Sequence, residues 1–222
     1  MLSAVRVPAS TATATATVIM IHGLGDSGNG WKFLADMAHS SPRFKNVRFV
    51  FPNAPEIPIT VNGGMKMPGW FDIAEFGKES NTDAEGFINS CGVIQDLIQY
   101  ELDHGIKGEK IIVGGFSQGA ALALATGALS DVKLGGIVGL SGFVPCKEKV
   151  QELAKNTNFA TPIFMGHGDA DPVISHRYGQ LTSEFYKQLG FKDLDFKTYP
   201  HQGHTAGDEE LADLFEFLGK IV

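Results

Sequence analysis

Apolar positions along the chain follow two alternating rhythms. Short runs rich in β-branched and aromatic residues occur at 18–21, 47–51, 111–113, 136–140, 162–165 and 194–199, and their length and composition predict strands. Ahead of the first run, Thr11-Ala12-Thr13-Ala14-Thr15-Ala16-Thr17 alternates with period two. It is expected to extend that strand toward the N-terminus. Between the strand runs the spacing becomes helical. The clearest helix opens on Thr82 and Glu85, a T-x-x-E capping box, and continues through Ile88, Cys91, Ile94 or Gln95, and Ile98. Others are expected over 31–38, 117–129, 178–189 and 209–218. Strand alternating with helix predicts an α/β fold: right-handed crossovers and a mostly parallel central sheet with helices on both faces. Reactive groups in such sheets gather at the carboxyl ends of the strands.

One segment breaks the alternation. Residues 52–81 hold Pro52, Pro55, Pro58 and Pro68, several glycines and no sustained period, yet they carry Ile57, Ile59, Met65, Met67, Trp70 and Phe71. A long irregular excursion with that apolar content is expected to pack as a loop lining something. Residues 1–222 are expected to form one domain around it.

Hydrophobic residues make up 43% of the chain and charged residues 19%, a globular balance. The net charge of -7, with no block of lysines or arginines, argues against nucleic-acid binding and against a polybasic membrane anchor. Cys91 and Cys146 are the only cysteines, too few for a disulfide framework or a four-cysteine zinc site. A reducing setting is the expectation, in the cytoplasm and also the nucleus. The early apolar run ends at His22, short of a secretory h-region, and no run reaches the roughly 18 to 20 residues of a membrane span. Leu2 follows Met1, and the chain ends Lys220-Ile221-Val222, so neither myristoylation nor prenylation is expected.

Gly115-Phe116-Ser117-Gln118-Gly119 matches G-x-S-x-G, a sharp strand-to-helix turn that exposes a serine nucleophile. A serine in that place can also simply cap the helix. The preceding strand, the following run of small residues and the flanking glycines favour the nucleophile. A serine hydroxyl needs a base to take its proton and a third group to orient that base. On this topology the acid and then the histidine should follow later strands. Asp171 and His204 stand there. Their rivals are Asp169, a common turn residue after glycine, and His201, directly after Pro200. His22 and His167, each before a glycine at a strand end, are expected to shape turns.

Residues His22-Gly23-Leu24-Gly25-Asp26-Ser27-Gly28 also spell G-x-G-x-x-G after a strand. A dinucleotide site would need an acid at the end of the next strand, where Pro52 and Asn53 stand instead. The better reading is an H-G-x-G oxyanion loop, in which the backbone amide of Leu24 joins that of Gln118. It requires no cofactor and no metal.

Six motifs carry a wider likeness: H-G-L-G-D at 22–26, F-P-N-A-P at 51–55, M-P-x-W-F-D-I at 67–73, G-G-F-S-Q-G-A-A-L-A-L at 114–124, L-S-G-F at 140–143 and G-H-G-D-x-D-P-V at 166–173. With them the chain resembles the acyl-protein thioesterase and carboxylesterase family of α/β-hydrolases, also called lysophospholipase-like, from about Ala14 onward. The fungal palmitoyl-protein thioesterase branch is the most similar. The resemblance implies an α/β-hydrolase fold and hydrolysis of S-acyl thioesters on cysteines of proteins such as Gα subunits and Ras-type GTPases. Lysophospholipid or small-ester hydrolysis would be a side activity, and membrane contact transient. It also implies Ser117, Asp171 and His204 as the triad, with the Leu24 and Gln118 amides as oxyanion hole. Leu24, Trp70, Phe143 and Val144 are the expected acyl-chain wall. Leu2 stands where some relatives carry a palmitoylated cysteine, Gly69 where many have serine, and Thr205 in place of the serine after the histidine. The rival readings are a general short-chain carboxylesterase, a catalytically silent binding module and a nucleotide-binding protein.

Overall fold

The structure is a computed structural model that describes residues 2–75 and 83–222. Its strands are β1 (Ala4–Val7), β2 (Ala16–Ile21), β3 (Val47–Pro52), β4 (Glu56–Ile59), β5 (Met65–Pro68), β6 (Ile111–Phe116), β7 (Gly136–Leu140), β8 (Ile163–Gly168) and β9 (Leu194–Tyr199). Its helices are α1 (Phe33–His39), α2 (Ala84–Asp103), α3 (Gln118–Leu129), α4 (Lys147–Leu153), α5 (His176–Leu189) and α6 (Asp208–Gly219). Seven strands form one sheet in the order β1-β3-β2-β6-β7-β8-β9. Only β1 runs antiparallel to its neighbour. This is the mostly parallel sheet of an α/β-hydrolase.

Side chains alternate across the strands and so divide the core in two. Ile19 and Ile21 of β2 face the cluster covered by α2, α3, Val150 of α4 and Tyr186 of α5. Val18 and Met20 face the cluster covered by α1 and α6. Helix α3 is buried along its whole length, which explains its run of alanine and glycine: a larger side chain would hold it off the strands. At the far end of the sheet Glu101 of α2 is a buried pin. Its carboxylate accepts from Arg6 of β1 at 3.1 Å, Arg48 of β3 at 2.8 Å and the Thr17 hydroxyl of β2 at 2.8 Å.

Four expectations need correction. The strand begins at Ala16, because β3 starts at Val47 opposite Ala16 and β6 at Ile111 opposite Thr17. Thr11–Thr15 therefore has no ladder partner and instead bends over the 45–46 turn through the Thr11 hydroxyl and Asn46. Strand β1 and helix α4 were not anticipated; β1 is a four-residue edge strand and α4 buries only Val150, so neither carries a marked apolar pattern. Residues 52–81 are not wholly irregular, since β4 and β5 pair in register from Glu56 opposite Pro68 to Ile59 opposite Met65. Pro58 and Pro68 disguised them, and an isolated two-stranded ribbon tolerates both. The cap of α2 is Asp83, whose carboxylate accepts from the Gly86 amide at 2.9 Å, while Thr82 of the expected capping box lies outside the described residues.

Candidate active site

Between β6 and α3 the chain reverses in a single residue. Ser117 has φ 55° and ψ -116°, a sparsely populated conformation that costs roughly 1–3 kcal/mol. Its amide donates to Leu140 O at 2.8 Å, continuing the ladder to β7. The flanking glycines make the turn possible. A Cβ on Gly115 would lie 2.1 Å from Gly119 O, and one on Gly119 would lie 2.2 Å from Ile21 O. The hydroxyl is thereby presented above the carboxyl end of the sheet, at the start of a helix.

His204 Nε2 lies 2.9 Å from Ser117 Oγ, and His204 Nδ1 lies 2.6 Å from Asp171 Oδ2. These contacts assign the tautomer: Nδ1–H donates to the carboxylate, leaving Nε2 to accept the serine proton. The Asp171 side chain is fully buried and that of His204 is 16% exposed. Asp171 is held by its other oxygen, which accepts the Val173 and Ile174 amides at 2.8 and 2.9 Å. Phe116 packs beside the imidazole, ring centroids 4.8 Å apart.

The rival pair is used elsewhere. Asp169 Oδ1 accepts the His201 amide at 2.7 Å, and His201, with φ 60°, is exposed. This bond, with Ala170 N donating to Gln202 O at 3.1 Å, stitches the Asp171 loop to the His204 loop.

Both histidines expected to shape turns are buried. His22 Nε2 accepts from Ala54 N at 3.1 Å and Nδ1 donates to Gly23 O at 2.7 Å. His167 Nε2 donates to Ile174 O at 2.8 Å and lies 3.4 Å from Asp171 Oδ2. Burial pulls both imidazoles below the ordinary histidine range, outweighing the carbonyls that accept from them. They stay neutral scaffolding.

Of the expected substrate wall, Leu24 lines the cleft above Ser117. That cleft, of about 210 Å³, is bounded by Leu24, Asp26, Ile73, Phe116, Val173 and His204 among others. Trp70, Phe143 and Val144 are not among its lining residues. Trp70 instead donates its indole N–H to His22 O at 2.9 Å. Val144 is buried in the core, and Phe143 packs on it. The larger recess between α1 and α6, about 540 Å³, is lined by Ser40, Ser41 and Glu216 among others, and the Ser40 hydroxyl is spent on Met37 O.

The Gln118 side chain is a functional group that motif reading missed. Its Oε1 accepts the Trp70 amide at 2.9 Å and its Nε2 donates to Phe71 O at 2.8 Å, clamping the segment after β5 onto the elbow. Its backbone amide and that of Leu24 donate to no protein acceptor among the described residues. Both are free to meet an oxyanion. The Leu24 loop is fixed by Gly25, whose amide donates to Pro68 O at 2.8 Å.

A model of the phospholipase/carboxylesterase family matches residues 2–222. The chain belongs to that family. Acyl-protein thioesterase 1 of Debaryomyces hansenii is 50% identical over 227 residues, spanning 100% of this chain and 98% of its own. The protein of the same description from Saccharomyces cerevisiae is 44% identical, spanning 99% and 98%. Among solved structures, Zea mays acyl-protein thioesterase 2 superposes with a TM-score of 0.85 at 30% identity, covering 99% of both chains. As a member of the phospholipase/carboxylesterase family the chain is a serine hydrolase.

One further buried carboxyl is linked to the His204 loop through Gln202. Glu210, on the first turn of α6, is fully buried, and burial pushes it up to about 7 against the opposing effect of Gln202. A raised carboxyl favours the native state below its unfolded value and loses that advantage as pH climbs through 7. Glu210→Gln is therefore expected to gain up to about 3 kcal/mol on wild type between about pH 5 and about pH 8. Urea denaturation of both proteins at the two pH values measures it.

Proposed function

We propose that the protein hydrolyses long-chain S-acyl thioesters on protein cysteines, with Ser117 as nucleophile, His204 as base and Asp171 as its orienting acid. The observation that carries this is the continuous chain from Asp171 through His204 to Ser117 at the head of an apolar cleft. His204 Nε2 takes the hydroxyl proton as Oγ bonds to the thioester carbonyl carbon. The Leu24 and Gln118 amides hold the oxyanion. The C–S bond then breaks, the cysteine sulfur leaves with the proton from His204, and an acyl-serine remains. Water, deprotonated by the same imidazole, releases the fatty acid and restores the serine.

A thiol of pKa about 8.5 leaves readily, so the triad accepts thioesters and oxyesters alike and the cleft must discriminate. Support for the thioester comes from the relatives, several of which are acyl-protein thioesterases. Gα subunits and Ras-type GTPases are the proposed protein substrates, with lysophospholipids and small esters as slower ones. Such substrates sit on membranes, and among the described residues no helix is long and apolar enough to cross one. Contact would be a transient surface encounter in the cytoplasm, with the nucleus a second location. Trp70, Phe143 and Val144 would support the acyl-chain wall from behind. Rates on thioesters and oxyesters of increasing chain length test the reading: kcat/KM should rise toward long acyl thioesters. A maximum at short oxyesters would make the protein a general carboxylesterase.

A further inference from the structure

We propose that Gln202 and Glu210 form a positioning pair for His204: Glu210 fixes the Gln202 amide, and that amide fixes the loop carrying the imidazole. The proposal rests on His204 being the base. Gln202 Nε2 donates one hydrogen to Thr205 O at 2.8 Å and the other to Glu210 Oε2 at 2.7 Å. The first bond closes the turn around His204. The second sets which end of the amide points into that turn, since Glu210 Oε2 accepts from Gln202 Nε2 whether the acid is ionised or carries its proton on Oε1. The amide lies in the space that the missing side chain of Gly207 leaves open, where a Cβ would stand 2.3 Å from Gln202 Oε1. The Gln202 carbonyl meanwhile accepts from Ala170 N beside Asp171, and a Cβ on Gly168 would lie 2.1 Å from it. One residue thus touches the loops of both the acid and the base.

Helix capping accounts for part of Glu210, which stands at the third position of α6 and draws on the backbone amide of Gly207 at the helix's N-cap. The residue is fully buried, and its Oε1 has no hydrogen-bond partner. A carboxyl buried that way is costly, and an apolar side chain of similar volume would be cheaper. An apolar replacement would abolish both the Gly207 interaction and the Oε2 contact to Gln202, whereas Glu210→Gln keeps an acceptor oxygen. No short motif exposes the pair, because the two residues stand on opposite sides of the Gly207 cap.

Losing either side chain should let the His204 loop relax, displacing Nε2 from Ser117 while leaving Leu24, Ile73 and Val173 of the cleft in place. The loss should therefore fall on kcat and leave KM little changed. Misplacement of a reacting group by about 1 Å can cost roughly 100-fold.

The test is steady-state hydrolysis of p-nitrophenyl butyrate by Gln202→Ala, Glu210→Ala, the double variant and Glu210→Gln, each checked for folding by circular dichroism and thermal melting. Each alanine variant should lose roughly 10- to 100-fold in kcat. The double variant should lose no more than the worse single, as expected for residues acting as a unit. Glu210→Gln, whose amide oxygen can accept the same bond, should recover most of what Glu210→Ala loses. A folded Gln202→Ala with wild-type kcat overturns the proposal, as do losses that multiply in the double variant. Should Glu210→Ala not fold, Gln202→Ala and Glu210→Gln decide between the outcomes. His204→Ala in the same assay separates the underlying reading: if it stays active the base assignment fails, and if it is dead while Gln202→Ala is fully active only the pair fails.

Discussion

Asp171→Asn is expected to lower kcat by roughly 10⁴-fold with the fold intact. The reason lies in how the carboxylate is held. One oxygen accepts the Val173 and Ile174 amides, so asparagine must place its carbonyl there and turn its NH₂ toward His204. An imidazole facing that donor carries its proton on Nε2, toward Ser117, and cannot accept the serine proton. Asp169→Asn should leave kcat near wild type, because its single bond, from the His201 amide, goes to an oxygen that asparagine keeps. Steady-state kinetics of the two variants, with melting curves to show both are folded, checks the pair. Interchanged effects would move the acid to Asp169.

Gly119→Ala should unfold or severely weaken the protein. Its Cβ would stand 2.2 Å from Ile21 O and 2.6 Å from His22 O, both backbone atoms at the end of a central strand. Neither can step aside without moving α3 or the Leu24 loop. Overpacking against yielding side chains already costs about 1–3 kcal/mol. Against rigid backbone the loss should be larger, a serious part of a native stability of roughly 5–15 kcal/mol. Gly92→Ala on α2 is the control: nothing lies within 4 Å of its Cβ, so it should be stabilising by up to about 1 kcal/mol. Urea denaturation measures both. A Gly119→Ala protein as stable as wild type would mean that the elbow does not require close approach of β2.

The parts of the fold that sequence makes legible are those whose pattern is set by burial on a fixed period. The six strands β2, β3, β6, β7, β8 and β9 of the main sheet, and most of the helices that cover them, repeat apolar residues often enough to be read. Strands β1, β4 and β5, of four residues each, and α4, which buries only Val150, carry too few apolar positions to stand out. The Thr-Ala alternation misleads for the opposite reason: it has the period of a strand but no partner at its level of the sheet. The site was legible where backbone geometry demands glycine or where the order of nucleophile, acid and base is constrained. It was illegible where side chains act at a distance. The Gln118 clamp on Trp70 and Phe71 joins residues 47 and 48 positions apart, and no spacing rule covers such contacts. Trp70 shows the same limit, since its apolar character suggested a substrate wall while its indole N–H is spent on His22 O.

The most direct measurement is rapid-quench mass spectrometry of the protein mixed with an S-palmitoyl peptide, with the acyl group located by proteolytic mapping. An acyl-serine should build up on Ser117 before steady state, decay as free fatty acid appears, and be absent from Ser117→Ala. Release of fatty acid with no acyl-enzyme at Ser117, or unchanged turnover by Ser117→Ala, would contradict the acyl-serine mechanism.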